Sequence, residues 1–195
     1  MNDSSSDAPR VSIEPLLPDE VRVYTLDSGD GATVRQAARR ILAALLKITS
    51  DKIDIFYTEK GKPLFRNDPA LHFSISHSQN LSMIALTGVA AIGVDIEQQR
   101  AVPNAETILR RFFTHEEIGR ILSDDQRDLR FIEAWTRAEA RVKARGASVW
   151  EAATPDPDTT VCQLLAPDGF AAAVAVANPA WTVSQHDLSI PSIPA

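Results

Sequence analysis

The 195-residue sequence contains a single cysteine, Cys162. One cysteine excludes an internal disulfide framework and any metal site that needs several thiolates. The chain also lacks an apolar run of roughly 20 residues, which a membrane-spanning helix would need. Its first residues, MNDSSSDAPR, are polar and acidic, so they do not resemble a secretory signal. These absences predict a cytoplasmic protein that binds no membrane.

Positive charge is absent from the last part of the sequence and concentrated in the middle. The net charge is −6, which argues against a general nucleic-acid binder. Residues 100–145 nevertheless hold ten of the 20 Lys and Arg, against eight Asp and Glu, and none follows Arg145. A basic middle in an acidic protein indicates an anionic ligand or partner at one surface. Solvated charge on helices explains it equally well.

The hydrophobic pattern predicts an α+β fold with helices packed on antiparallel sheet. Short strand-like runs at 72–76, 81–87 and 91–96 suggest an antiparallel meander. Apolar residues at helical spacing predict a helix after Gly31 and another over about 124–145, which Gly146 is well placed to end. Two pairs of residues have the spacing of a helix-capping box: Thr114 with Glu117, and Ser123 with Gln126.

The stretch AIGVDIEQQR, residues 91–100, ends an apolar run with two acids. Alternation along a strand places Asp95 and Glu97 on one face, roughly 7 Å apart at the backbone. Two such carboxylates can converge on a hard cation such as Mg²⁺, which prefers oxygen ligands. A strand end that emerges into solvent is the plainer explanation of the pair by itself.

Three further patterns have both a functional and a structural explanation. Glu139 and Lys143 lie four residues apart on the predicted long helix, where an ordinary ion pair would explain them. Ser76 and His77 in SISHS could bind phosphate or simply belong to a hairpin, and GKP at 61–63 indicates a turn. The sequence contains no G-x-S-x-G elbow, H-E-x-x-H or P-loop pattern, which argues against those enzyme classes.

These motifs occur in a specific order: GKP (61–63), SISHS (74–78), GVDIE (93–97), RFFTHEE (111–117) and WTRAEARVKARG (135–146). Over about residues 33–146 this succession resembles the 4′-phosphopantetheinyl transferase superfamily, in its monomeric form. The resemblance implies two similar α+β halves with antiparallel sheets and packed helices. The expected divisions are a flexible segment over 1–20, an N-terminal half over 21–88, a C-terminal half with the metal site over 89–187, and a tail over 188–195.

The resemblance also implies an activity: magnesium-dependent transfer of the 4′-phosphopantetheine arm from coenzyme A to a serine of an acyl or peptidyl carrier protein. Adenosine 3′,5′-bisphosphate would be the other product. The implied metal ligands are Asp95, Glu97 and Glu139. The implied catalytic residues are Glu139, Asp95 and Lys143, with Glu139 or a water held by the acids as the base. The implied coenzyme A contacts are Arg35, Gly61, Lys62, Pro63, Ser76, His77 and Lys143.

Two departures from the family pattern remove positive charge. The family usually has lysine where this chain has Ala138, and basic residues where it has TLDSGDGA (25–32). They favour one alternative, a degenerate homologue that binds carrier protein or coenzyme A without transfer. Another alternative, a metal-dependent phosphohydrolase of coenzyme A-like substrates, would use the same acids without a protein acceptor.

Overall fold

A computed structural model describes residues 13–28, 30–59, 61–66, 68, 70–147 and 157–188. Most of the expected flexible segment (1–12) and of the expected tail (189–195) lies outside these residues. The described strands are β1 Glu20–Leu26, β2 Ile55–Tyr57, β3 Pro63–Phe65, β4 His72–Ser78, β5 Leu81–Thr87, β6 Ile92–Gln98, β7 Thr160–Leu164, β8 Phe170–Val176 and β9 Thr182–Leu188. The described α-helices are α1 Gly31–Leu46, α2 Ala105–Phe112, α3 His115–Leu122 and α4 Arg127–Arg145.

The described strands form two main sheets and a small hairpin. The first sheet, here called the N-sheet, has the order β4-β5-β1-β9, and the second, the C-sheet, has the order β6-β8-β7. Strands β2 and β3 pair only with each other in the described part. All pairs are antiparallel except β1 with β9. The predicted α+β class is therefore confirmed.

The core lies in successive layers between helices and sheets. Helix α1 buries its apolar stripe, which includes Ile41 and Leu42, against one face of the N-sheet. The opposite face of the N-sheet packs on the C-sheet through residues such as Met83 and Val94. Helix α4 then covers the outer face of the C-sheet. Strand β6 is consequently enclosed between the N-sheet and α4.

The predicted meander is correct for β4 and β5 but wrong for β6. Strands β4 and β5 form an antiparallel hairpin, whereas β6 pairs with β8 and starts the second sheet. The apolar side chains of β6 explain the difference. Ile92, Val94 and Ile96 are at most 1% exposed because they pack on the face of the N-sheet, a position that pairing at its edge would not give them.

The ends of the helices test both predicted capping boxes. The Thr114 hydroxyl accepts from the Glu117 amide and the Glu117 carboxylate accepts from the Thr114 amide, so the first box is confirmed. The second is wrong, because Ser123 terminates α3 instead of starting α4. Helix α4 begins at Arg127 after Gln126, whose side chain makes no capping hydrogen bond. Gly146 ends it in the left-handed conformation, as predicted.

Strand β9 joins the N-sheet although it belongs to the range 89–187. It runs parallel to β1, with Glu20 opposite Thr182 and Leu26 opposite Leu188. A buried ion pair supports this junction: Arg22 donates to both Glu20 carboxylate oxygens, at 2.8 and 2.7 Å. Ser184 of β9 donates to the same carboxylate at 2.6 Å. The N-sheet therefore contains strands from both of the expected ranges, 21–88 and 89–187.

Candidate active site

Strand β6 carries Asp95 into a buried position beside α4. The residue is only 4% exposed, and burial raises the pKa of its carboxyl above the ordinary value, although Lys143 partly lowers it. Its Oδ1 accepts hydrogen bonds from Lys143 Nζ at 2.7 Å and Ser76 Oγ at 2.9 Å. Its Oδ2 is buried and has no hydrogen-bond partner among the described residues. Such an oxygen is costly in a folded protein unless it meets a ligand.

Helix α4 reaches this carboxylate because β6 has a glycine at the crossing point. A Cβ at Gly93 would lie 2.1 Å from the Ala140 carbonyl oxygen and 2.3 Å from the Ala144 amide nitrogen. Only hydrogen in place of a side chain permits this approach. Ala140 and Ala144 also bury their small side chains on β8. Glu139 and Lys143, which flank this contact surface, are thereby brought to the side of Asp95.

Lys143 links the two main sheets through its ammonium group. Besides Asp95, its Nζ donates to Ser76 Oγ at 2.9 Å, so strands of both sheets contact the helix at one point. An ammonium has three donors, and these two contacts leave the third one. The Lys143 side chain is 31% exposed, which gives that third donor access to a ligand.

The other two predicted metal ligands, Glu97 and Glu139, both lie close enough to Asp95 for an electrostatic interaction. Burial raises the pKa of Glu139, and the negative charge of Asp95 raises it further. Glu97 lies at the partly exposed end of β6, where Arg100 binds its Oε2 at 3.0 Å and Ser78 donates to the same oxygen at 3.4 Å. The structure thus brings all three acids to one side of β6, as alternation along the strand predicted for Asp95 and Glu97.

The donor chemistry fits a hard cation, although no complete metal cage is preformed. Among the described residues, no group of three or more His, Cys, Asp or Glu side chains is arranged to hold a metal ion. Lys143 contributes to this, because its ammonium group occupies Oδ1 of Asp95. Magnesium commonly takes only one or two protein carboxylates together with substrate phosphates. The unpartnered Asp95 Oδ2 and the nearby carboxylates match that requirement.

A cavity of about 170 Å³ adjoins this cluster. Its lining includes Gly61, Lys62 and Pro63 from the β2–β3 hairpin, Ser74 from β4 and Lys143 from α4. Lys62 Nζ donates to the carbonyl oxygen of Ala144 at 2.5 Å, and burial lowers the pKa of Lys62 to about 8. The sequence motif GKP therefore lies in the same place as Lys143, as the resemblance led us to expect.

Two of the predicted coenzyme A residues lie elsewhere. His77 is exposed and shares its face of β4 with Phe73 and Ile75, which pack toward α1, whereas Ser76 faces Asp95. Arg35 is exposed near the start of α1, where its guanidinium lies over Gly31. Within the described residues, no contact joins Arg35 to the acids, to Lys143 or to the cavity.

Acidic neighbours pair with several arginines of the basic segment 100–145. Several of its arginines form ion pairs with neighbouring acids: Arg100 with Glu97, Arg110 with Glu106, Arg127 with Asp128, and Arg130 with Asp124 and Glu133. Arg137 and Arg141 line a groove between α3 and α4. The surface left for an anionic partner is therefore confined to a few side chains.

Sequence reasoning missed the partners of the acids on β4. Ser74, Ser76 and Ser78 accept hydrogen bonds from successive alternate amides of β6. The signal was available in SISHS, because serines two residues apart share one face of a strand. What no pattern in the sequence showed is that β6 lies opposite them.

None of the described helices combines the length and apolar character that a bilayer requires.

Comparison with known proteins places these features in a family. Residues 91–183 match the family model of the 4′-phosphopantetheinyl transferase superfamily. The chain is 32% identical to the 4′-phosphopantetheinyl transferase HetI of Nostoc sp., over 75% of this chain and 70% of the relative. It is 35% identical to AcpT of Escherichia coli K12, over 58% of this chain and 60% of the relative. It is 30% identical to AcpT of Salmonella typhimurium, over 69% and 77%.

The matched region includes the two elements that carry the three acids and Lys143. The matched region contains β6, which carries Asp95 and Glu97, and α4, which carries Glu139 and Lys143. The similarity to HetI extends over more than two thirds of both chains. The chain therefore belongs to the 4′-phosphopantetheinyl transferase superfamily and is an enzyme of that class.

Proposed function

We propose that this enzyme transfers the 4′-phosphopantetheine arm of coenzyme A to a serine hydroxyl of an acyl or peptidyl carrier protein. One observation carries the proposal: a buried carboxylate, Asp95, has one oxygen fixed by Lys143 and Ser76 and the other unpartnered, beside a cavity lined by the GKP turn. This arrangement provides negative oxygens for a cation and positive groups for phosphate within one site.

The residues of the chain would share the work as follows. Glu139 would accept the proton of the carrier serine, because burial and the charge of Asp95 raise the pKa of its carboxyl and so strengthen it as a base. The serine oxygen would form a bond to the phosphorus that carries the pantetheine arm. The bond from that phosphorus to the oxygen of adenosine 3′,5′-bisphosphate would break. Lys143 would donate its third N–H to the pyrophosphate.

A magnesium ion would be held by Asp95, with Glu97 and Glu139 near it. When bound, magnesium polarises the phosphoryl oxygens and compensates their charge. Lys62 and its neighbours Gly61 and Pro63 would lie along the adenine. His77 would reach the 3′-phosphate from the exposed face of β4, outside the cavity, while Ser76 stays bonded to Asp95. Arg35 would supply a further contact to coenzyme A at the periphery.

We also propose a cellular location and an oligomeric state for the enzyme. The described residues contain a free thiol, Cys162, which suits a reducing compartment, and we place the protein in the cytoplasm. We expect a monomer, because the acids, Lys143 and the cavity all come from one chain. Nucleic acids and membranes are not among the proposed partners.

The direct test is to incubate the enzyme with magnesium, coenzyme A and an apo carrier protein, and to follow the carrier by mass spectrometry. We expect the carrier serine to gain the mass of the phosphopantetheine group. Asp95→Asn should abolish the gain, whereas Asp187→Asn on exposed β9 should not. Binding without any mass change, with several carriers, would favour a degenerate homologue. Release of the bisphosphate without a carrier would favour a phosphohydrolase.

A further inference from the structure

Three alternate serines of β4 contact the outer edge of β6. We call Ser74, Ser76 and Ser78 the serine row. Their Oγ atoms accept from the amides of Val94 at 3.1 Å, Ile96 at 3.4 Å and Gln98 at 3.0 Å, respectively. Because β8 occupies the other edge of β6, these amides would otherwise be unpaired in the interior. The first function of the serine row is thus to join the two sheets.

The members of the serine row differ in the acceptor to which the hydroxyl donates its proton. Ser76 donates to Asp95 Oδ1 at 2.9 Å, and Ser78 donates to Glu97 Oε2 at 3.4 Å. In each case the carboxylate belongs to the residue that precedes the bonded amide. The residue that corresponds to these acids opposite Ser74 is Gly93, which has no side chain. The same serine–amide contact therefore lies beside an acid at two positions and beside a glycine at the third.

We propose that Ser76 and Ser78 are positioning residues that orient Asp95 and Glu97 for a divalent cation. This inference rests on the proposed function, since it assigns the acids a ligand. By holding Oδ1 of Asp95, Ser76 leaves Oδ2 as the oxygen that can bind. Ser78 donates to Oε2 of Glu97, the same oxygen that Arg100 contacts from the exposed end of β6. Partners that orient metal ligands typically alter metal affinity when they are removed.

The serine row supplies its own control. Alanine at any of the three positions removes an acceptor from a β6 amide, so each variant should lower the urea midpoint of unfolding. Only Ser76→Ala and Ser78→Ala also release a carboxylate. Ser74 lines the cavity proposed for coenzyme A, so the comparison uses metal affinity and not the KM for coenzyme A.

The test is a titration of each variant with Mn²⁺ at saturating coenzyme A. Electron paramagnetic resonance measures the free Mn²⁺ and so gives the affinity. We expect Ser76→Ala and Ser78→Ala to bind Mn²⁺ roughly 10- to 100-fold more weakly than the wild type. Ser74→Ala should keep the wild-type affinity. Ser78→Thr, which keeps the hydroxyl, should restore most of the affinity that Ser78→Ala loses.

The outcomes separate this inference from the proposed function. Equal Mn²⁺ affinity in all three alanine variants would overturn the positioning role while leaving transfer to the carrier intact. A wild type that transfers no phosphopantetheine would overturn the proposed function, yet the expected order of Mn²⁺ affinities would still support positioning. A wild type that binds no Mn²⁺ would refute the positioning role. If Ser76→Ala does not fold, the Mn²⁺ affinities of Ser78→Ala and Ser78→Thr test the positioning role instead.

Discussion

Replacing Gly93 with alanine should displace α4 from the acids. The added Cβ would lie 2.1 Å from the Ala140 carbonyl oxygen, and real Cβ contacts are essentially never shorter than 3.0 Å. Strand and helix would therefore have to separate by about 0.9 Å. The two nearest atoms, the Ala140 oxygen and the Ala144 nitrogen, belong to the backbone, and the third, Lys143 Cβ at 2.8 Å, is attached directly to it, so no flexible side chain can move aside instead. Glu139 and Lys143 would move with the helix.

The size of the effect follows from two general costs. Overpacking a well-filled interior costs about 1–3 kcal/mol of unfolding free energy. A misplacement of about 1 Å at a catalytic group costs on the order of 100-fold in rate. We therefore expect Gly93→Ala to fold, to unfold at lower urea concentration, and to lose about two orders of magnitude in kcat.

The assay is the rate of carrier modification at saturating coenzyme A, with urea unfolding measured in parallel. The matched control is Gly119→Ala, since a Cβ there meets nothing within 4 Å and the residue is exposed on α3. Alanine at that helical position should raise stability by up to about 1 kcal/mol and leave the rate unchanged. If Gly93→Ala keeps both the wild-type rate and the wild-type urea midpoint, the close approach does not fix α4 and this reasoning fails.

Three further changes test other features. Hydrogen bonds from Arg22 and Ser184 outweigh the effect of burial and lower the pKa of Glu20 to about 2. The carboxylate therefore stabilises the fold above pH 4.5 and loses that contribution, roughly 3 kcal/mol at most, as the pH falls toward 2. Glu20→Gln should reduce the change of the urea midpoint between pH 6 and pH 3. Because burial lowers the pKa of Lys62 to about 8, the ammonium loses its charge as the pH rises through 8; coenzyme A affinity, measured by calorimetry, should fall between pH 7 and 9 in the wild type but not in Lys62→Met. Thr114→Ala removes the hydroxyl of the capping box and should lower the unfolding free energy by about 1 kcal/mol in urea titrations, and an unchanged midpoint would show that the box contributes nothing.

Local features of the fold could be predicted from the sequence because they depend on neighbouring residues. The capping box of Thr114 and the end of α4 at Gly146 each involve contacts within a few positions. The prediction from the same spacing at Ser123 and Gln126 was wrong, because such a pair can lie at the end of one helix or at the start of the next. Spacing alone does not distinguish these two uses, which depend on where the preceding helix stops.

Long-range features could not be predicted in this way. Alternation correctly placed Asp95 and Glu97 on one face of β6, but nothing local specified that Ser76 would lie against them. The same limit applies to Lys62, whose contact with Ala144 joins residues 82 positions apart. Such contacts arise from the choice of sheet partners, and several alternative partners satisfy the same hydrophobic pattern.

The parallel pairing of β1 with β9 has a consequence for synthesis of the chain. Glu20 and Thr182 are partners in one sheet, so the ribosome must add about 160 residues between them. During that time the far edge of β1 has no strand beside it, and an open edge can pair with another chain. Contacts between such distant residues also slow folding. We therefore expect nascent chains that lack β9 to aggregate, and a chaperone that covers strand edges to increase the yield of folded enzyme.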